Sequence, residues 1–265
     1  MPGVPANMSL RYRRCIQMAL NEKTKSHLVI DGDFGAKSVE ALKQYQTLNK
    51  LPVTGVYDLS TRAVMDPFIK GKYLKDEDFA TAGQALSVSP ECVMTVVEVE
   101  AGGDGFLDSG DCDILFERHI FFRRLSKKKS AAEMQQLVAK YPNLVNPNTG
   151  GYSGGQKEWD RLNAAIAIDR TEALNSASWG MFQVMGFNCA AAGWSDIEQF
   201  VTDMKTSESK HLTAFVGFIK ANPNLHKALK AQDWASFARG YNGAAYAKNN
   251  YDKKLAAAYA KFTTK

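Results

Sequence analysis

The chain lacks any apolar run near the ~20 residues that a membrane-spanning helix needs, and its opening stretch, MPGVPANMSLRYRR, has no continuous apolar segment of the kind found in cleaved export signals. A cytoplasmic start without stable membrane insertion is the resulting expectation. Cysteine is scarce and scattered. Cys15, Cys92, Cys112 and Cys189 form neither a CxxC pair nor a metal-like spacing, and they read as buried or free thiols rather than a disulfide framework. His27, His119, His211 and His226 form no close cluster, so no metal is expected, and no other cofactor is called for. Strand-like alternation is rare as well, which excludes an all-β architecture.

The 265 residues are 45% hydrophobic and 23% charged, enough for one large domain or for a small module plus a medium one. Charge divides unevenly. Residues 1–75 carry 12 Lys+Arg against 6 Asp+Glu (+6), while residues 76–265 carry 21 against 22 (−1). A basic first segment suits an anionic polymer or surface, or is simply a solvated face. No nucleic-acid-binding motif accompanies the charge, so nucleic acid is not an expected partner.

A short repeat organises that first segment. Gly32-Asp33-Phe34-Gly35-Ala36-Lys37-Ser38 and Gly55-Val56-Tyr57-Asp58-Leu59-Ser60-Thr61 each place an aromatic two residues after a glycine and a hydroxyl six after it. Helical spacing follows both copies, with Val39, Leu42, Tyr45 and Gln46 after the first and Thr61, Val64, Met65 and Phe68 after the second. With the amphipathic segment from Leu10 to Leu20, this makes a three-helix bundle with tight glycine turns. DGDFG and LPVTGVYDLST, as they stand over roughly residues 8–68, resemble the peptidoglycan-binding domain found at the ends of many wall hydrolases. The resemblance implies wall contacts from Asp31, Asp33, Phe34 and Tyr57. The expected organisation is a binding domain at 1–69, a polar linker at 70–77 and a second, mainly α domain at 78–265.

In the second domain Ser89 and Pro90 make a good helix start, because Ser caps free N–H groups and Pro at the first position gives up no needed donor. Val93, Val96 and Val97 then share one stripe with Glu100, and the chain breaks into Ala101-Gly102-Gly103-Asp104-Gly105. A carboxylic acid at the edge of an apolar stripe loses hydration, which raises its pKa and suits it to donate a proton. The alternative is a helix-end carboxylate paired with Arg or Lys. Glu98, on a mixed face, reads as solvated. Capping-box spacing marks helix starts at Ser130/Glu133 and Ser195/Glu198, and Asp233 can cap the helix carrying Trp234, Phe237 and Ala238. Residues 113–122, from Asp113 to Phe122, are the exception and can hold a strand or two.

Three separated motifs bear on Glu100: Val99-Glu100-Ala101-Gly102-Gly103, then Ser176 to Gly186 with Trp179-Gly180-Met181-Phe182-Gln183 at its centre, then Arg239-Gly240-Tyr241-Asn242-Gly243. Their order resembles the lysozyme superfamily members related to lytic transglycosylases and goose-type lysozymes. The run from about residue 78 to 262, with ILFERH, SASWGMFQVMGFN and FARGYNG, is similar to the N-acetylmuramidase domain of modular phage endolysins. The fold so implied is an α-rich lysozyme-like catalytic domain with a small β element beside the three-helix wall-binding domain. The activity implied is cleavage of the β-1,4 bond between N-acetylmuramic acid and N-acetylglucosamine, with Glu100 as general acid and peptidoglycan as partner. Gln183, on a tight glycine-flanked helix start, Tyr241 and Asn242 hold the sugar or the acid, or are buried contacts between helices. Ser178 and Trp179 join the substrate-binding set, Trp179 as a sugar-stacking ring; Trp159, Trp194 and Trp234 read as core.

Glu117, 17 residues after Glu100, is the candidate second carboxylate, or else a structural partner of Arg118; Asp108, Asp111 and Asp113 compete with it. Inversion requires about 6.5–9.5 Å between the carboxyl groups and retention about 5 Å. A transglycosylase, which needs one acid and leaves a 1,6-anhydro sugar, is the alternative within the fold; an inactive wall-binding protein is the alternative outside it. The endolysin resemblance further implies a monomer that waits in the host cytoplasm until the membrane is permeabilised and then reaches the periplasm and wall.

Overall fold

The computed structural model describes residues 8–100 and 105–264, apart from the side chains of 244 and 245. The glycine-rich break at 101–104 lies outside the described residues. Two compact units emerge, one of residues 1–75 with 106–111 and one of residues 76–105 with 112–265.

The first unit is built on α1 (Leu10–Thr24), α2 (Ala36–Leu48) and α3 (Leu59–Lys72). Residues 70–72 form the last turn of α3. Ser9 caps α1 through the Tyr12 N–H and Asp58 caps α3 through the Thr61 N–H. Both repeat glycines take positive φ, +80° at Gly32 and +67° at Gly55, which explains the residue type. Each turn is fastened by a buried glutamine of the preceding helix. The Gly32 N–H donates to Gln17 Oε1 at 2.6 Å and the Gly55 N–H donates to Gln46 Oε1 at 2.9 Å. Each amide then donates onward, Gln17 to the Asp33 carbonyl and Gln46 to the Val56 carbonyl. Residues 106–111 pack with this unit: Asn21 Nδ2 donates to Asp108 Oδ1 and Lys72 Nζ donates to the Gly110 carbonyl.

The second unit is mainly helical. In chain order it runs α4 (Asp76–Leu86), α5 (Pro90–Glu100), β1 (Ile114–Phe116), α6 (Arg118–Leu125), α7 (Ala131–Lys140), α8 (Gln156–Ile166), α9 (Arg170–Asn175), β2 (Ala177–Trp179) and β3 (Val184–Met185). It continues with α10 (Cys189–Ala192), α11 (Ile197–Met204), α12 (Glu208–Lys220), α13 (Pro223–Ala231), α14 (Trp234–Asn242) and α15 (Tyr251–Thr263). The three strands form an antiparallel sheet in the order β1-β2-β3, with Leu115 opposite Ser178 and Ser178 opposite Met185. The apolar run after Asp113 is therefore only half strand: ILF pairs in the sheet, and Arg118 onward turns helical. Ser130 and Glu133 make the expected capping box, and Asp233 caps α14. At α11 the cap is Asp196 rather than Ser195, because the Asp196 carboxylate accepts from the N–H groups of both Glu198 and Gln199.

The core follows the apolar stripes. Val93 and Val96 of α5, Phe121 of α6, Phe200 of α11, Phe215 of α12 and Phe237 of α14 are fully buried. A buried ion pair stands beside the sheet. Glu158 of α8 is fully buried, accepts from the backbone N–H groups of Phe116, Ser153 and Gly154, and pairs with Arg161 at 2.6 Å. All four cysteines are free thiols. Among the described residues no helix is long and apolar enough to cross a membrane.

Candidate active site

Glu100 is the last residue of α5, and the fold gives its carboxyl a half-buried position. Ser89 Oγ accepts from the Cys92 N–H and starts the helix, and the valine stripe fixes its rotation by burial in the core. Burial pushes the Glu100 pKa up; a hydrogen bond from Asn242 and the Lys254 charge pull the other way without cancelling it. Asn242, at the end of α14, donates from Nδ2 to Glu100 Oε1 at 2.9 Å. Glu98, by contrast, is exposed and meets Lys261 at 3.3 Å.

Tyr241 stands one residue before Asn242 and ties the same helix to the second motif. Its ring stacks on Phe237 and meets Phe215 edge-on, and its hydroxyl donates to the Phe182 carbonyl at 2.8 Å. Burial, with the nearby Glu100 charge second, pushes the phenol pKa upward, so Tyr241 acts as a neutral donor.

The second motif forms a hairpin, which corrects the expected helix start. Gly180 has φ +67° and Gln183 φ +48°, and the Gln183 N–H closes the four-residue turn on the Gly180 carbonyl at 3.0 Å. Gln183 is exposed. Its Nε2 donates to the Gly180 carbonyl at 2.9 Å and its Oε1 accepts from Ser178 Oγ at 2.6 Å. The same Nε2 also donates to the Asp113 carbonyl at 3.5 Å, so the amide is aimed with one oxygen lone pair still available. Trp179 is not a sugar-facing ring. It lies on the central strand, 1% exposed, with its indole N–H on the Leu174 carbonyl and its ring edge-on to Trp159.

Helix α12 holds the flanks of two motifs, a role that sequence reasoning missed. The Gly105 N–H donates to the buried Glu208 Oε1 at 3.2 Å, and the Met181 N–H donates to His211 Nδ1 at 3.2 Å. The other ring nitrogen of His211 lies 2.6 Å from the Met204 carbonyl, which makes Nε2 the protonated one. A Cβ on Gly180 would come within 2.6 Å of this ring. Isolated histidines carry no motif; only the folded chain brings residue 211 against residues 105 and 180.

Glu117 sits where β1 passes into α6, its backbone N–H donating to the Ser176 carbonyl. Tyr152 Oη donates to both carboxylate oxygens at 3.0 Å, and His119 Nδ1 lies 3.0 Å from Oε2. Arg118 is not its partner: that guanidinium donates to the carbonyls of Asn148 and Thr149. The sequence signals for these partners are slight, a histidine two residues on and a tyrosine inside Gly150-Gly151-Tyr152-Ser153-Gly154-Gly155. Asp113 is half-buried with its pKa pushed up, chiefly by burial. Asp108 and Asp111 fall in the first unit, where Asp108 also meets His27 at 3.1 Å.

In the first unit, Asp31 and Asp33 are exposed, whereas Phe34 and Tyr57 are 2% and 0% exposed. These two rings build the module's core and offer the wall no surface, which corrects the expectation of direct contact. Tyr57 and Tyr12 both donate to Asp66 Oδ1, at 2.5 and 2.7 Å.

A carboxyl whose pKa is raised by burial at the end of a helix, an amide on that carboxyl, a half-buried tyrosine beside it and a glutamine-bearing hairpin define a lysozyme-like hydrolase. Comparison with known proteins agrees. Residues 89–263 match the profile of the N-acetylmuramidase family and residues 13–65 that of a peptidoglycan-binding domain. Among solved structures, that of the Burkholderia AP3 phage endolysin is similar at 37% identity and TM-score 0.68, over 95% of this chain and 94% of that one. A comparison with curated proteins finds no match. The chain belongs to the N-acetylmuramidase family. It is a peptidoglycan-degrading glycoside hydrolase, and its first unit makes peptidoglycan its partner.

Proposed function

We propose that the chain acts as an endolysin, cutting the β-1,4 bond between N-acetylmuramic acid and N-acetylglucosamine with Glu100 as general acid and Glu117 as the second carboxylate. The observation that carries this reading is the pairing of a burial-raised carboxyl with an amide that stabilises its ionised form. Protonated Glu100 gives its proton to the glycosidic oxygen as the C1–O bond breaks and positive charge develops on the sugar. The Asn242 N–H then holds the carboxylate left behind. Glu117, oriented by Tyr152, takes a proton from the incoming water, and the water oxygen closes the bond to C1. Ser178 aims Gln183 so that its remaining oxygen lone pair meets a sugar hydroxyl or N-acetyl N–H, while Tyr241 sets the hairpin against α14.

The first unit holds the polymer and raises its local concentration without altering the chemistry. Its exposed carboxylates Asp31 and Asp33 are the wall-facing candidates that remain. The enzyme works as a monomer and waits in the host cytoplasm until the membrane is permeabilised. Digestion of purified peptidoglycan by wild type, Glu100→Gln and Glu117→Gln, with the products weighed by mass spectrometry, tests the chemistry. Reducing-end sugars from wild type and none from Glu100→Gln are expected; wild-type rates from Glu100→Gln would refute the assignment.

A further inference from the structure

The surface of α12 and α13 carries a feature that the cleavage reaction does not use. A cavity of about 640 Å³ is lined by Lys220, Pro223, His226, Lys227, Lys230 and Ala231. Three of its six lining residues are lysines, and none is acidic. Lys227 and Lys230 lie three residues apart on one face of α13, and Lys220 joins them from the end of α12. His226 is a fixed wall, its Nε2 donating to the Leu86 carbonyl at 2.7 Å.

The charge here is not balanced locally. Between Glu208 and Asp233 the sequence contains no Asp or Glu, yet it holds Lys210, Lys220, Lys227 and Lys230. Residues 76–265 as a whole are close to neutral, so this stretch is a positive island in a balanced unit. Lys210 reaches Asp203 at 3.2 Å, whereas Lys220, Lys227 and Lys230 pair with no carboxylate among the described residues. All three are exposed. Three ammonium groups around one depression repel one another unless an anion sits between them.

We infer that this cavity is an anion-binding exosite of the catalytic unit, taking the carboxylates of the peptide stems that hang from the glycan. The inference rests on the peptidoglycan-hydrolase reading. The sugars at the cleavage point offer hydroxyl and N-acetyl groups; the polymer's carboxylates lie on the peptides. Lysines on flexible stems suit carboxylates that are variably placed along a mobile peptide. No arginine lines the cavity to impose the planar fork that fixes a single oxyanion geometry. The exosite adds substrate affinity without contributing to bond cleavage.

The test uses the full chain with Lys227→Gln/Lys230→Gln and Lys227→Glu/Lys230→Glu. Each is assayed on intact peptidoglycan and on the same polymer after its carboxylates have been converted to amides with a carbodiimide and ammonia. On intact polymer the apparent KM should rise about three- to tenfold in the Gln pair, as expected for two exposed charge contacts, and further in the Glu pair, with kcat within about twofold. On the amidated polymer all three proteins should be alike, and salt should raise the wild-type KM on intact polymer more steeply than that of the Gln pair. An unchanged KM on intact polymer, or equal losses on both substrates, would overturn the inference. So would loss of binding to vesicles containing anionic phospholipid with wall digestion unaltered, since the anion would then be a lipid phosphate. Cleavage of the amidated polymer by wild type, abolished in Glu100→Gln, tests the underlying hydrolase reading separately.

Discussion

Asn242 Nδ2 donates to Glu100 Oε1 at 2.9 Å, so the residue that ends α14 sets the protonation of the residue that ends α5. Burial raises the Glu100 pKa, and the Asn242 bond together with the Lys254 charge restrains that rise. A general acid is active while protonated, so the rate falls as pH climbs through its pKa.

Asn242→Ala removes a restraint, and the alkaline limb of the pH–rate profile should move to higher pH. Asn242→Asp should move it further, because a second carboxylate disfavours ionisation of the first. The plateau rate should fall roughly ten- to a hundredfold in both, the loss expected when a carboxylate forfeits a hydrogen bond worth about 1.5–3 kcal/mol. Turbidity decay of peptidoglycan suspensions across pH measures both effects. An alkaline limb that stays in place in Asn242→Ala would mean that another group titrates there.

Glu117 and Asp113 flank β1, and rates separate them. Glu117→Gln should lose at least about a hundredfold in kcat, the lower range for a positioned base. Tyr152→Phe should lose less, since it removes the hydroxyl that orients Glu117 and leaves the carboxylate itself in place. Asp113→Asn should stay within about tenfold of wild type, because among the described residues no side chain is set on its carboxyl as Tyr152 is set on that of Glu117. Initial rates on purified peptidoglycan decide it, and a reversed order of Glu117→Gln and Asp113→Asn would exchange the two roles.

The valine spacing before Glu100 made α5 and its terminal acid readable, because helical periodicity and burial share one cause. Tyr241 and Asn242 were readable as a motif, although which of them touches the acid was not. Gln183 was misread because Gly180-Met181-Phe182 is apolar enough for a helix start; the hairpin depends on positive φ at Gly180 and Gln183 and on pairing with residues 114–116. Strands of two or three residues are too short to show alternation, which is also how Trp179 passed for a sugar platform while occupying a central strand. Phe34 and Tyr57 show the same limit: a repeated aromatic after a turn glycine marks a core position as readily as a binding one. Glu208 and His211 left no sequence signal, because each acts on backbone groups that are distant along the chain, and Glu158 likewise reaches the N–H of Phe116 from far along the sequence.

The Glu158–Arg161 pair gives the second unit an acid-sensitive element. Burial alone would raise the Glu158 pKa, but three backbone N–H donors and Arg161 outweigh it and hold the carboxyl below its usual range. A group depressed in the folded state contributes stability that is fully present above its unfolded pKa, about 4.3 for Glu, and lost as pH falls through the folded value. The melting temperature should therefore drop on acidification below about pH 4, and Glu158→Gln should flatten that part of the profile. Arg161→Met should cost about 3–5 kcal/mol at neutral pH by leaving a buried carboxylate uncompensated. Calorimetry from pH 3 to 7 reads both.

Gly180 and His211 should behave as one unit. Alanine at 180 must hold φ +67° and place a Cβ 2.6 Å from the imidazole, combining about 1–2 kcal/mol of backbone strain with about 1–3 kcal/mol of overpacking. His211→Ala removes the ring that is in the way but leaves a cavity and strands the Met181 N–H, a cost of about 2–4 kcal/mol. The Gly180→Ala/His211→Ala double variant should be less destabilised than the sum of the singles by about 1–2 kcal/mol, because the clash is then absent and only the φ strain persists. Activity should not recover in parallel. Without the His211 acceptor at Met181 the hairpin loses the fastening that aims Gln183, so kcat/KM should stay low in the double variant although its stability partly returns. Additive stabilities would mean that the turn and the ring adjust independently.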